Sequence, residues 1–289
     1  TYLENGTRLI NDEQGINTTR TQGHRFGMRL EHEFSDNTSI IFEPQVNFGA
    51  GSFNQYSDFQ TYTERDGNKS LTNDGYTSNI GDNDNWQTSG FFLFRQRLGK
   101  PGRTISANIR YSFSNNEMAG NNYSETNSYE NGKNHSSVVD QMYLQRSDAY
   151  TVGGRFSYTE PLGKNFFLEA SYRYNYRVTD AEKMTYDKDM NGNYASLDTL
   201  YSSKYRNTFI DQDARINLVK QEEKYNFQVG FSVQPAYTKS VTTLLRENRD
   251  SVLAYSVVNY APSARFDYRF SDRNFLRINY RGSTNQPSI

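Results

Sequence analysis

Apolar and polar side chains alternate with period two along most of the chain, the pattern of strands that bury one face and wet the other. Phe26, Met28, Leu30 and Phe34 share a parity, opposite Arg25, Arg29, Glu31 and Glu33. After Ser35-Asp36-Asn37-Thr38, Ile40, Phe42, Val46 and Phe48 alternate with Ile41, Glu43, Gln45 and Asn47. Phe92, Phe94 and Leu98 oppose Arg95 and Arg97; past Gly99-Lys100-Pro101-Gly102, Ile105, Ala107, Ile109, Tyr111 and Phe113 oppose Ser106, Asn108 and Arg110. The same rhythm continues through Tyr150, Val152, Phe156 and Tyr158 against Arg155, and through Leu168, Ala170, Tyr172, Tyr174 and Tyr176 against Arg173 and Arg177. It closes with Ala214, Ile216 and Leu218 against Arg215, Phe227 through Val233 in alternation, Ala264, Phe266 and Tyr268 against Arg265 and Arg269, and Leu276, Ile278 and Tyr280 against Arg277 and Arg281.

These periods predict about ten strands, near 24–34, 39–48, 86–98, 104–113, 148–162, 166–178, 206–219, 225–239, 255–270 and 275–283, in one domain over 1–289. Most reach the roughly 9–11 residues that cross a bilayer when tilted, against about five or six in soluble strands. Short turns alternate strictly with long polar stretches at 49–85, 114–147, 179–205 and 240–254. A membrane barrel keeps its short turns on the periplasmic side and its long loops outside; a soluble sandwich has no reason to. The expected fold is all-β, an antiparallel up-and-down transmembrane β-barrel, about ten strands of a larger cylinder with long extracellular hairpin loops. Apolar residues then meet outer-membrane lipid, and Arg25, Arg29, Arg95, Arg97, Arg110, Arg155, Arg173, Arg177, Arg215, Arg265, Arg269, Arg277 and Arg281 face the lumen. The alternative is the solvated face of a soluble sheet, which would need a second layer over its apolar side, and no helical stretch of that size exists. Pro44, Pro235 and Pro262 fall inside strands, where a missing N–H breaks the ladder and bulges are expected. Gln212 and His32 are polar residues at outward positions.

Composition supports a thin, wet-faced sheet. Hydrophobic residues make up 34% of the 289, yet aromatics reach 15%, too many for a disordered chain. Net charge is −1, leaving no field to attract nucleic acid. There is no cysteine, hence no disulfide framework or thiolate site. The chain opens at Thr1-Tyr2-Leu3 without a secretory h-region, so an exported protein is expected in mature or trimmed form.

The run Tyr260 to Phe270, and above all Tyr280-Arg281-Gly282-Ser283-Thr284-Asn285-Gln286-Pro287-Ser288, resembles the barrel of the TonB-dependent-receptor-like outer-membrane family of Bacteroidetes-type bacteria. That resemblance implies a bacterial outer-membrane protein that takes up a ligand, with a plug domain in the lumen and a TonB-type energiser as partners of the full-length protein. The chain lacks the plug, the TonB box, the leading β-sandwich and the terminal aromatic strand of that family, so the resemblance implies a middle section of the barrel.

Two further chemistries are weighed. Asp187, Asp189, Asn191 and Asp198 have the spacing of a calcium loop, with Asp in place of the bidentate Glu and no flanking helices; Asn191-Gly192 equally suits a type I′ hairpin, as do Asp66-Gly67 and Asn131-Gly132. Asp82 and Asp84 near Trp86 could join a second cation site. No other cofactor is expected. Catalysis is not expected either: His24, His32 and His135 have no Ser and Asp in a recognisable order. Tyr56, Tyr62, Tyr76, Tyr123, Tyr129, Asn121 and Asn122 suit stacking on carbohydrate or peptide. A ligand-uptake barrel is therefore the first functional expectation. A surface protein that binds a glycan or partner through its loops, and a passive porin, are the alternatives.

Overall fold

The computed structural model describes residues 7–130, 133–271 and 273–282. Every regular element is a strand: β1 Arg8–Gly27, β2 Leu30–Ser35, β3 Thr38–Arg65, β4 Asn68–Arg97, β5 Thr104–Glu130 and β6 Lys133–Gly163 form the first half. β7 Phe166–Lys188, β8 Tyr194–Leu197, β9 Ser203–Gln221, β10 Tyr225–Leu244, β11 Arg249–Arg269 and β12 Phe275–Arg281 complete the set. They make one antiparallel sheet in which chain neighbours are sheet neighbours, with β2 continuing the arm of β1 beside β3 and β8 added to β7. β1 and β12 each pair on one side only, so the sheet is open among the described residues.

The register explains why this sequence makes a membrane wall. Ile40, Phe94, Ala107, Phe156, Tyr172, Ala214, Val233 and Tyr260 follow one another across eight strands as direct cross-strand partners. One residue along, the row reads Ser39, Arg95, Ser106, Ser157, Ser171, Arg215, Ser232 and Ala261. Because side chains alternate between faces, the first row is a hydrocarbon stripe and the second a hydrophilic one. Burial is the reverse of a soluble protein's. Ser232 is 1% exposed and its neighbour Phe231 49%. The largest fully buried side chains are Thr238 and Ser232, while Phe26, Ile109, Val229 and Ile278 stand uncovered. Among the described residues no second layer covers the aromatic face, and between the two edge strands ladder pairing satisfies most of the backbone, as a lipid environment requires.

Strands run far past the expected bounds. The polar stretches 49–85, 114–147, 179–205 and 240–254 are for the most part strand rather than loop, as hairpin extensions of the same sheet. β6 has 31 residues, about three times the bilayer requirement. Residues 8–23, where no strand was expected, pair with β3 as far as Glu64. Asp66 (φ 50°) and Gly67 (φ 81°) form the expected I′-like turn. At Asn191-Gly192 only the glycine has positive φ, and its N–H donates to Asp189 O (3.0 Å), a type I turn closed by a left-handed glycine instead of I′. The Asn131-Gly132 turn and residues 283–289 lie outside the described residues. Pro44, Pro235 and Pro262 are absorbed without bulges, whereas the register shifts beside Pro161 at the end of β6. Opposite Pro44 the first arm is interrupted at Met28 and Arg29, and opposite Pro235 two ladder pairs are missing, yet the register resumes unchanged on either side.

Candidate functional site

All thirteen of the expected arginines share the parity of the hydrophilic row, twelve of them within strands and Arg29 in the break between β1 and β2. They are held in different ways. Arg25 Nε donates to Asn47 Oδ1 (3.0 Å), Arg29 pairs with Glu31 (3.0 Å) and Glu43, and Arg97 Nη1 donates to Asp36 O (3.2 Å). Arg177 covers the Phe209 ring (4.5 Å), and Arg265 and Arg277 share Asp267 at 2.6 and 2.5 Å. Arg95 faces Ser39 and Ser106, Arg269 faces Phe275, and Arg281 faces Ser263.

The remaining four converge. Arg155 on β6 is the direct partner of Arg173 on β7, and Arg173 that of Asp213 on β9. Asp213 is 3% exposed. Its Oδ2 receives Arg215 at 3.0 Å, Arg173 at 3.6 Å and the Gln234 amide at 3.3 Å, and Gln234 donates onward to Ser232 Oγ at 3.0 Å. Arg110 on β5 lies over the Phe91 ring (5.1 Å) and opposite Gly153, over which the Asn175 amide lies. A cavity of about 680 Å³ opens there, lined among others by Asn108, Arg110, Arg155, Arg173, Asn175 and Asp211. Guanidiniums and amides offer many donors with few carboxylates to absorb them, an arrangement suited to holding or passing anionic groups. Like charges directly opposite one another across a ladder are destabilising, so the Arg155–Arg173 pairing is not there for stability.

Outward polar residues have local partners. Tyr172 donates its hydroxyl to Gln212 Oε1 at 2.6 Å, and the His32 ring packs edge-on against Phe34 (4.6 Å). His24 lies against Phe48, whose cross-strand partner is Trp86.

The expected calcium-loop residues divide into two groups. Gln141 Nε2 donates to Asp187 Oδ1 (2.8 Å) and to Asp198 Oδ2 (3.1 Å), bringing those carboxylates together. Asp189 Oδ1 instead accepts the backbone N–H groups of Asn191 and Asn193, and Asp198 Oδ1 those of Leu200 and Tyr201. Among the described residues no group of three or more His, Asp or Glu side chains is set to hold a metal ion. Asp82 and Asp84 share the outward face with Glu117, the direct partner of Asp84.

The hairpin extensions carry a different surface. Tyr56, Tyr76 and Tyr123 form a continuous aromatic strip across β3, β4 and β5, with ring centroids 5.9 and 5.5 Å apart. The Tyr123 hydroxyl is pushed up to about 12, first by its hydrogen bond with Tyr76 and then by desolvation and Glu125. Beside them Asp140 accepts from Lys188 Nζ (2.8 Å) and Tyr194 Oη (2.6 Å), joining β6 to β7 and β8. The lysine first, then the tyrosine, holds the Asp140 carboxyl below the ordinary carboxylate range. Neither that latch nor the Gln141 bridge is visible in the sequence pattern, because both join residues about fifty positions apart.

A family model described as "Outer membrane protein beta-barrel family" matches residues 96–289. No curated protein matches the chain. Among solved structures, similarity extends to the ferric-catecholate import receptor Fiu from E. coli K12, at 9% identity and TM-score 0.47, covering 94% of this chain and 55% of that one. It extends to BauA, the ferric preacinetobactin receptor from Acinetobacter baumannii, at 10% identity and TM-score 0.44, covering 92% and 46%. The outer membrane protease OmpT from Escherichia coli overlaps at 11% identity and TM-score 0.27, covering 90% and 96%. The chain thus spans about half the length of the two import receptors.

Proposed function

The chain belongs to the outer membrane protein β-barrel family and has its place in the outer membrane, and from that premise we propose that it is part of the wall of a ligand-uptake barrel. The observation that carries this reading is the inversion of burial. Serines, threonines and an aspartate are enclosed on the inner face while the aromatic face stands open, so the wall is built to enclose a hydrophilic space. Thirteen arginines on that face supply fixed donors along the path. Uptake is of a solute too large for a passive pore, drawn through a lumen that a plug closes and that a TonB-type energiser opens. No catalytic role is proposed: His24 and His32 pack against aromatic rings. The test is untargeted analysis of spent medium from a strain carrying the full-length gene, its deletion and the complemented deletion. The reading expects at least one solute to persist in the deletion medium and to be consumed again on complementation; identical media from all three would refute uptake.

One observation favours a surface-binding role instead: the Tyr56–Tyr76–Tyr123 strip lies far beyond the hydrocarbon band, where lipid does not explain it. Retention of glycan on whole cells, with unchanged media, would support that role.

A further inference from the structure

We infer that the inner wall holds a binding site for a polyanionic solute, one bearing carboxylate or phosphate groups, centred on Arg110, Arg155 and Arg173. The inference rests on the uptake reading and names the chemistry of what passes.

Four guanidiniums (Arg110, Arg155, Arg173 and Arg215) and two carboxylates (Asp211 and Asp213) meet in this part of the wall, leaving an excess of two positive charges. The carboxylates do not neutralise them evenly. Asp213 is buried and committed to Arg215 and Arg173. Among the described residues Arg110 and Arg155 have no ion pair, and Asp211 stands across from Asn175 and Ala236. Arg110 is oriented by the Phe91 ring and Arg155 is set directly against Arg173, a placement that a structural role would avoid. Asn108 and Asn175 add neutral amides to the same cavity of about 680 Å³, the Asn175 amide lying over the bare backbone of Gly153. Several fixed forks converging on an open polar volume match the oxygens of carboxylate and phosphate groups. In the ten expected strand segments every cation at inward parity is an arginine, while the inward Lys183 lies in a hairpin extension over the Tyr143 ring, so this part of the wall uses the cation with fixed geometry.

The full chain in detergent is titrated calorimetrically with inorganic pyrophosphate at low ionic strength, beside the double variant R110Q/R155Q and the control R95Q/R281Q, which removes equal charge from the same face outside the cavity. The expected result is saturable binding that weakens with added salt, at least tenfold weaker in R110Q/R155Q and within twofold of wild type in the control. Equal weakening in both double variants would mean a diffuse field and overturn the site. No binding by the wild type would mean that the arginines are covered by another part of the protein, which also overturns it. Arg110 and Arg155 hold no carboxylate, so their removal should leave heat-modifiable folding intact; if the double variant does not fold, R155Q alone is read on the same criterion. Binding is measured without transport, so its failure leaves the spent-medium result standing, and a negative uptake result leaves this one standing.

Discussion

Tyr143 lies over Gly120, its cross-strand partner, so closely that a Cβ on the glycine would stand 2.7 Å from the phenol oxygen and 3.0 Å from the carbonyl of Ile80. On the other side of the same row, Phe53 covers Gly81 in the same way, giving the order Phe53, Gly81, Gly120, Tyr143 across four strands. Two rings thus converge over two glycines on the inward face, and Tyr143 Oη ties the arrangement to Asn79 Oδ1 at 3.1 Å. Paired glycine and aromatic positions of this kind pin register where neither face is strongly apolar.

Gly120→Ala should therefore destabilise the hairpin extensions by about 1–3 kcal/mol, the usual cost of inserting a methyl group where the backbone cannot give. Tyr143→Phe, which loses the bond to Asn79 and the weaker contact with Met118 Sδ (4.0 Å), should cost about 1 kcal/mol. Urea unfolding in liposomes measures both, and a neutral Gly120→Ala would show that the ring does not rest on the glycine.

Ile109→Arg tests the outward face. The side chain is 52% exposed, so in a water-soluble sheet the change would lie within about 0.5 kcal/mol of neutral. In the middle of a hydrocarbon band it should cost about 2–4 kcal/mol. The same unfolding assay separates these two outcomes.

The band was legible in the sequence because Phe, Tyr, Ile and Val recur at every second position there, and only one register places them all on one face. The hairpin extensions were not. Segments such as Asn79 to Asn85 and Asn121 to Ser124 are polar on both faces and rich in residues depleted from strands; they are strand because the ladder below hands them their partners. Residues 8–23 were missed for the same reason, being defined only by β3. Each lumen arginine could be assigned a face from its parity. That Arg110, Arg155 and Arg173 meet, and that Asp213 serves Arg173 and Arg215, follows from the stagger between strands, which parity does not contain. Gln212, a polar residue on the lipid face, makes sense only once Tyr172 is beside it.

Asp213→Asn should leave Arg173 and Arg215 without their shared carboxylate. Breaking a buried pair costs about 3–5 kcal/mol, and because both guanidiniums are partly exposed the expected loss is about 1–3 kcal/mol. Adding Arg215→Gln should recover part of it, since one unpaired cation is then removed. A double-mutant cycle reads the coupling, and strict additivity would contradict it.

The Asp140–Lys188–Tyr194 latch sets a pH window for the outer hairpin. The Asp140 carboxyl is depressed by Lys188 and then Tyr194, so its contribution is present above the unfolded carboxylate value and is lost as pH falls through the lower folded one, below about 4. Lys188 is raised, chiefly by its hydrogen bond to Asp140; its contribution holds below the unfolded amine value and is lost as pH rises through the higher folded one, above about 10. A nitroxide at Ser196→Cys should keep constant mobility between those limits and loosen beyond each. Lys188→Met should loosen it throughout. A label indifferent to both would remove the latch.

One face of these strands meets hydrocarbon and the other a hydrophilic interior. The chain has no native cysteine, so single cysteines can be placed one at a time along β10 from Phe227 to Gln234, spin-labelled, and their collision rates with oxygen and with a water-soluble nickel complex compared in liposomes. Strict alternation is expected: Phe227, Val229, Phe231 and Val233 favour oxygen, and Gln228, Ser232 and Gln234 favour nickel. Equal rates along the strand, or the opposite phase, would contradict it.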